Sequence, residues 1–158
     1  YRNMALTKIN NNSLSAVTTL PSAIATGDVL QVVNMTSASS TSTTSTSFVA
    51  TALTDTITPS STSSKILIIA TGNLNNTTGN QWNYATIAKG GTNLGNSVGM
   101  VGVYAGGDNH SAATITYLDS PSSTSELTYD VRIRCSGGTS NWNQQEAKIS
   151  LTLMEIAG

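Results

Sequence analysis

Hydrophobic and polar residues alternate with a period of two along most of this chain, whereas no window keeps apolar residues at helical spacing beyond one turn. In segment 127–135, for example, Leu, Tyr, Val, Ile and Cys alternate with Thr, Asp and Arg. Such alternation is typical of a strand with one buried face. The pattern predicts strands at residues 28–35, 45–53, 65–71, 82–89, 98–104, 112–118, 126–135 and 146–156.

The composition favours the same fold class. The 158 residues include 22 Ser, 25 Thr and 15 Asn, and 38% are hydrophobic. Thr favours strands, whereas Ser, Asn and Gly favour the turns between them. We predict an all-β protein, a jelly-roll-like β-sandwich of about eight antiparallel strands, in residues 28–158. The Ser/Thr-only run 39–47 is predicted to be a long loop that merges into the second strand.

Residues 1–27 have no sustained period and are predicted to form an extended N-terminal anchoring arm. Such an arm cannot build a core of its own, but its spaced apolar side chains can dock on a neighbouring subunit. The candidate assembly residues in the arm are Leu6, Ile9, Leu14, Leu20 and Ile24.

Residues 66–69 break the alternation, because all four side chains are aliphatic. Neighbouring side chains of a strand point to opposite faces, so both faces of this strand are expected to be covered. One face meets the opposing sheet of the sandwich. The other face, with Leu67 and Ile69, is expected to meet a second subunit or the chain's own arm.

Charged residues are scarce, at 9% of the chain, and the formal net charge is -1. Nucleic acids and anionic membranes attract basic proteins, so neither is an expected partner. The single cysteine, Cys135, excludes an intrachain disulfide and a Cys-based zinc site, and we expect it to be buried. No apolar run is long enough for membrane insertion, and no secretory signal peptide is expected.

Residues 95–99 (Gly-Asn-Ser-Val-Gly) match the G-x-S-x-G pattern of a hydrolase nucleophile elbow. That elbow joins a strand to a helix, and no helical pattern follows here, so the match is interpreted as chance. Asp108, Asp119 and Glu126 offer oxygen ligands for calcium, but they lack the spacing of a dedicated calcium loop. The sequence therefore predicts a non-enzymatic protein without catalytic residues, cofactor or metal.

Both tryptophans lie among uncharged hydrogen-bonding residues: Trp82 with Tyr84 in one segment, and Trp142 in another. An indole can pack on the apolar face of a sugar ring while amides bond its hydroxyls, which makes these residues candidate glycan ligands. The alternative is that each tryptophan caps an end of the core, with its N–H bonded to a loop carbonyl. His110, in a polar turn, is either a further glycan ligand or a solvent-exposed loop residue.

Arg132 and Arg134 share a strand face with Asp130. Arginine suits bidentate contacts with the carboxylate of an acidic glycan or a partner. Local pairing with Asp130 on an exposed face is the alternative.

Four segments consist of strand and turn phrases: residues 4–9 (MALTKI), 27–33 (GDVLQVV), 58–68 (TPSSTSSKILI) and 151–156 (LTLMEI). Together they resemble the small fibre or virion-surface proteins of tailed bacteriophages, particularly those of marine and cyanobacterial hosts. The resemblance spans most of the chain and contains no catalytic signature.

This resemblance implies a trimeric tail-fibre module, non-enzymatic, that presents loops to a host-surface glycan. The loops expected to face outward are those around residues 73–83, 106–110 and 137–145. The implied partners are further copies of the chain in a homotrimer and, through the arm, other virion proteins. The alternative is a capsid decoration or cement protein that stabilises the phage head. Either protein would be made in the host cytoplasm and reside on the virion surface, on the tail fibre or the capsid exterior.

Overall fold

The structure is a computed structural model that describes residues 27–105 and 110–158. These residues form eleven β-strands and no helix, which confirms the predicted all-β class. The strands are β1 (Val29–Ser37), β2 (Thr41–Thr43), β3 (Val49–Ile57), β4 (Lys65–Asn76), β5 (Gln81–Lys89), β6 (Thr92–Asn93), β7 (Val101–Ala105), β8 (Ser111–Asp119), β9 (Leu127–Cys135), β10 (Ser140–Trp142) and β11 (Ile149–Ile156). The predicted arm, except for Gly27, lies outside the described residues, and so do its candidate assembly residues Leu6, Ile9, Leu14, Leu20 and Ile24.

The strands pair in two antiparallel sheets. Across the first sheet the order is β1, β11, β4 and β8, and the short strands β2 and β10 continue the positions of β1 and β11 at one end. Across the second sheet the order is β3, β9, β5 and β7, with β6 beside the end of β5. Neighbouring strands therefore come mostly from distant parts of the chain. This arrangement is the jelly roll that the sequence predicts.

The hydrophobic core lies between the two sheets and contains the inward side of each main strand. On β4, Ile66 and Ile68 are fully buried, whereas Leu67 and Ile69 point outward and are only partly buried. Cys135 is fully buried at the end of β9, as predicted. The described residues thus cover only one of the two aliphatic faces of β4. The largest buried core side chains are Leu53, Ile66, Ile68, Leu74, Ile87, Tyr129, Ile133, Trp142, Ile149, Leu151 and Leu153.

The Ser/Thr-rich run 39–47 is not a simple loop, and this part of the prediction is wrong. Residues Thr41–Thr43 form β2, which pairs with β10. The Ser45 N–H then donates to the Thr43 hydroxyl at 3.1 Å, and the Ser47 N–H donates to the Ser45 hydroxyl at 3.0 Å. These local side-chain bonds replace ladder bonds, and β3 begins only at Val49.

Local turns also delay two other strands relative to their predicted starts. β7 begins at residue 101 instead of 98, because the Gly99 N–H donates to the Asn96 carbonyl at 3.0 Å and closes a turn. β11 begins at residue 149 instead of 146, because the Glu146 N–H bonds the Asn143 carbonyl at 3.0 Å. Asn143 and Glu146, the first and last residues of this second turn, both have positive φ. Asparagine tolerates this conformation better than most residues do.

The strand pairing gives the sandwich two distinct ends. We call the end that holds Gly27 the proximal end; there the Gly27 N–H donates to the Ala157 carbonyl at 2.8 Å. The links 58–64 and 120–126 lie at the same end, since β4, β8 and β11 are in register there. The distal end, opposite, contains the links 38–48, 77–80 and 136–148.

Buried polar groups close the proximal end. The Glu155 carboxylate, on the inward face of β11, accepts bonds from the Gln31 amide at 2.6 Å and from the backbone and hydroxyl of Ser60, both at 2.7 Å. Burial raises the pKa of Glu155, but the bonds from Ser60 and Gln31 outweigh it and lower that pKa to about 2. Glu155 is therefore an ionised group that holds the β3–β4 link against the first sheet.

A second polar group at this end joins the two sheets. Asp119, on β8 of the first sheet, accepts bonds from Lys89 Nζ at 2.7 Å and from the Tyr129 hydroxyl at 2.6 Å. Lys89 and Tyr129 belong to the second sheet. Burial, the bond to Asp119 and the charge of Asp119 all raise the pKa of the Tyr129 phenol. The phenol consequently stays protonated and acts as a donor between the sheets.

Candidate functional site

An aromatic cluster lies on the outer face of the second sheet. Trp82 and Tyr84 are two residues apart on β5 and leave the same face; their ring centroids are 6.0 Å apart and their planes differ by 11°. β7 adds Tyr104 directly opposite Trp82, at 5.3 Å between centroids. Trp82 is 44% exposed and Tyr104 is 49% exposed. Exposed apolar clusters of this kind are typical of ligand or partner contacts.

Arg134 extends this cluster from the β9 side. The carbon of its guanidinium lies 4.1 Å from the ring centroid of Tyr84 and 5.4 Å from that of Phe48, within the range of cation–π contacts. Its Nη2 donates to the Ser97 carbonyl at 3.2 Å. Arg134 thus restrains Tyr84 and ties the β6–β7 loop to the sheet. We call the set Phe48, Arg134, Tyr84, Trp82 and Tyr104 the aromatic row.

A cleft of about 450 Å³ opens between β5 and the β6–β7 loop. None of the described residues that line it is charged. Gly102 lies directly opposite Tyr84, and an added Cβ would be 3.3 Å from the Tyr84 ring, so the absence of a side chain keeps this part of the cleft open. The volume is in the range of small-molecule sites. The lining residues are Trp82, Tyr84, Asn96, Val98, Gly99, Met100, Val101 and Gly102.

The G-x-S-x-G segment forms a wall of this cleft. It contains the turn at residues 96–99 and leads into β7, so it lacks the strand–turn–helix geometry of a nucleophile elbow. The Asn96 side-chain oxygen accepts the Val98 N–H at 2.9 Å, and the Ser97 carbonyl accepts the bond from Arg134. The segment therefore shapes the cleft through its backbone and through Asn96 and Val98.

Trp142 is not part of this surface, and its interpretation as a glycan ligand is wrong. It is fully buried on β10, in the first sheet, and packs against Gly72 of β4. The alternative interpretation, that Trp142 belongs to the core, is correct, but the described residues do not provide the expected hydrogen bond from its N–H to a loop carbonyl. In the described part of the chain, the buried indole N–H has no partner.

The asparagines around Trp142 are also buried and bond other asparagines or the backbone. Asn141 Nδ2 donates to Asn75 Oδ1 at 2.9 Å, and Asn76 Nδ2 donates to Asn83 Oδ1 at 2.9 Å. Asn143 Nδ2 donates to the Ala147 carbonyl at 2.8 Å. These asparagines therefore brace the distal end of the sandwich instead of lining a ligand site.

The remaining candidates occupy separate places. His110 is partly buried and directly precedes β8 in the first sheet, whereas Trp82 and Tyr84 belong to the second. Arg132 forms the expected ion pair with Asp130. Arg134 does not share that pairing, since it stacks on Tyr84. Of the four predicted glycan ligands, the structure brings together only Trp82 and Tyr84.

A second exposed surface covers the outer face of the first sheet. The strand register aligns Val32, Met154, Leu67 and Leu118 across β1, β11, β4 and β8. Val32 is 55% exposed and Leu118 is 49% exposed. We call these four residues the apolar row; Ile69 lies two residues beyond Leu67 on the same face. The predicted assembly residues Leu67 and Ile69 thus belong to a surface that all four strands share.

The polar side chains beside the apolar row bond each other. Asn34 Nδ2 donates to the Thr152 hydroxyl at 2.7 Å, and the Thr71 and Ser150 hydroxyls are 2.9 Å apart. No ionised side chain interrupts the row. Burial of the row itself would therefore cost little desolvation of charge, although exposed Lys65 lies on the same face, two residues before Leu67.

Several kinds of site are absent from residues 27–105 and 110–158. These ranges contain no group of three His, Cys, Asp or Glu side chains placed to hold a metal ion. Asp119 is engaged by Lys89 and Tyr129, and Asp108 lies outside the described residues. The same ranges contain no helix long and apolar enough to cross a membrane.

A scan against protein-family models and a search of curated proteins found no match for this chain.

Sequence reasoning missed three of the five contributions to the aromatic row. Tyr104, Phe48 and the stacked position of Arg134 are not evident from local patterns, because the pairing of β5 with β7 spans a short strand and a loop. One signal was available: alternation places Tyr104 and Gly102 on the same face of their strand. That face could be assigned only once the partner strand was known.

Proposed function

We propose that this chain is a non-enzymatic structural module of a bacteriophage virion surface, a tail-fibre component that assembles as a homotrimer and meets the host surface. Two kinds of support exist for the proposal. The phage setting and the trimer rest on the resemblance of four sequence segments to small fibre or virion-surface proteins. Assembly from several copies rests on the apolar row.

The apolar row is the observation that carries the proposal. Isolated surface hydrophobic residues are ordinary, but four in register across a whole sheet form a continuous stripe. At about 25 cal/mol per Å² of apolar area, covering such a stripe in each copy favours association. A copy of the same chain fits well, since the uncharged row meets no charge repulsion and a closed symmetric assembly buries the equivalent surface on every subunit.

The positions of the two ends also support an anchored module. Residues 1–26 precede Gly27, which lies at the proximal end, while the links 77–80 and 136–148 lie at the distal end. A module held through its N-terminal segment would therefore turn these links away from its attachment point. Several linked copies would raise the apparent affinity of a weak surface contact.

The mass of the purified full chain in solution, measured by light scattering, tests the assembly. We expect three times the chain mass of 16.3 kDa for the native sequence, and dissociation toward one chain mass for Leu118→Lys. Val98→Lys is the matched control, because Val98 is 47% exposed on the other sheet's side of the molecule. A monomeric native chain, or an unchanged mass for Leu118→Lys, would overturn the proposal.

The copy number in purified virions tests the location. A number far below that of the major capsid protein supports a tail fibre. A number comparable with the capsid protein favours the decoration or cement alternative and contradicts the fibre assignment. Absence from virions would contradict both.

A further inference from the structure

The cleft beside the aromatic row combines an exposed aromatic surface with an uncharged lining. Of the two rings that line the cleft, Trp82 is the more accessible, since one face of Tyr84 is covered by the guanidinium of Arg134. Val98 and Met100 add apolar walls. A ligand that fits must therefore have an apolar face to set against the indole.

The polar groups around the cleft are neutral. Asn96 has its side-chain oxygen engaged by the Val98 N–H, and its amide NH₂ makes no hydrogen bond within residues 27–105 and 110–158. Tyr84, which also lines the cleft, adds a neutral hydroxyl. The nearest cation, Arg134, donates to the Ser97 carbonyl from outside the lining. Such a site suits hydroxyl groups and offers no paired charge to a carboxylate or phosphate.

We propose that this cleft binds a neutral pyranose unit of a polysaccharide, with the C–H face of the sugar against Trp82 and its hydroxyls toward Asn96 and Tyr84. The volume of about 450 Å³ accommodates a small ligand of this class. The site lies on the outer face of the second sheet and reaches the distal end at Trp82, whose backbone bonds Ser136 of the link 136–148. This inference rests on the proposed function for the source of the sugar, which is a host surface.

The space left by the missing side chain of Gly102 is a specific feature of the site. Gly102 lies between the rings: a Cβ there would be 3.3 Å from Tyr84 and 3.7 Å from Trp82. Its φ is not positive, so a larger residue meets no backbone strain. Gly102→Val therefore fills the cleft from below without removing any side chain that would contact the sugar.

Titration of the full chain with sugars tests the site. The probes are neutral oligomers of glucose, galactose and mannose, with oligogalacturonate as an acidic counterpart, and the readouts are calorimetry and tryptophan fluorescence. We expect at least one neutral oligomer to bind and to change the fluorescence of exposed Trp82. Trp82→Ala and Gly102→Val are each expected to weaken binding by about tenfold or more. Val29→Ala, at a similarly exposed apolar residue outside both the apolar row and the cleft, is the control and should bind normally.

Three results would overturn the inference: no neutral oligomer binds, both cleft variants bind as the native chain does, or oligogalacturonate binds in preference. Binding of a proline-rich peptide at the cleft, in place of sugars, would also overturn it. Light scattering on the same samples separates the two proposals. A native mass without sugar binding removes the sugar site alone, whereas sugar binding by a monomer removes the proposed assembly alone.

Discussion

The indole of Trp142 on β10 packs directly on the backbone of Gly72 on β4, at a point where any larger residue would overlap the ring. Trp142 also pairs with Leu74, so its ring reaches diagonally across the inward face of β4. The largest core side chain therefore depends on the smallest residue of the neighbouring strand.

Gly72→Ala is expected to destabilise the protein by about 2–3 kcal/mol, because the added methyl group displaces a fully buried indole. Urea unfolding measures the change. Gly102→Ala is the matched control, since its methyl group lies on an exposed surface, 3.3 Å from the Tyr84 ring and 3.7 Å from that of Trp82, and we expect a change within about 0.5 kcal/mol. Equal destabilisation by both variants would contradict this account of Trp142.

Glu155→Gln is expected to reduce the free energy of unfolding by about 2 kcal/mol at pH 7, because the bonds to an ionised carboxylate are lost. The folded pKa of about 2 lies below the ordinary value of 4.5. The contribution of Glu155 is therefore complete above about pH 5 and disappears as the pH falls toward 2.

Unfolding measured from pH 7 down to pH 2 checks this dependence. The difference between the native chain and Glu155→Gln should narrow steadily below pH 5. Glu126→Gln, at an exposed carboxylate, should leave stability nearly unchanged at every pH. A gap that stays constant with pH would show that ionisation of Glu155 is not the cause.

Tyr129→Phe is expected to cost about 1–2 kcal/mol, because Asp119 loses a buried donor at 2.6 Å. The raised pKa of the Tyr129 phenol means that the neutral form stabilises the fold. That stability is complete below about pH 10, the ordinary pKa of tyrosine, and is lost as the pH rises beyond it.

Ultraviolet absorbance during alkaline titration follows the phenols directly. The absorbance of Tyr129, taken as the difference between the native chain and Tyr129→Phe, should change only when the protein unfolds. Tyr104→Phe serves as the control for stability and should have little effect. Ionisation of all tyrosines before unfolding would contradict the buried bond to Asp119.

Cys135 should react with a thiol reagent only when the protein opens. Its sulfur is fully buried and lies 3.5 Å from the carbonyls of Ser45 and Gly138. Labelling in native buffer should therefore be slow, and urea should accelerate it in parallel with unfolding. Rapid labelling of the folded chain would show instead that residues 136–139, which follow Cys135, open frequently.

Arg134→Ala should loosen the β6–β7 loop without unfolding the sandwich. The guanidinium is bonded to the Ser97 carbonyl and stacks on Tyr84, so its removal frees both contacts. Hydrogen exchange of residues 94–100 should accelerate. Arg132→Ala, whose side chain pairs with Asp130 on the same strand, should leave that exchange unchanged.

The local sequence pattern was sufficient to predict the main strands, but it was insufficient to predict which residues come together on their outer surfaces. Alternation identifies the inward residues of β9 and the double aliphatic face of β4, because side-chain direction depends only on position along a strand. The short strands β2, β6 and β10 were missed, since two or three residues carry no detectable period. Their pairing depends on neighbours that are remote in sequence.

Trp142 illustrates the limit for functional residues. Its neighbours Asn141 and Asn143 have the same local composition as those of Trp82, yet one tryptophan is fully buried and the other is half exposed. The difference lies in Gly72, about 70 residues away in sequence, which makes room for the first indole. Composition could not separate these two environments, because the deciding contact is tertiary.

The bond between Gly27 and Ala157 determines how the module would respond to tension. A pull on Gly27 away from the distal end acts along β1, which is joined to β11 through eight paired residues. Force in that direction strains the ladder bonds in shear, so that they resist together. A pull across the sheet would instead open them one after another. The direction in which the chain enters the fold thus gives the Gly27 end the mechanically stronger geometry.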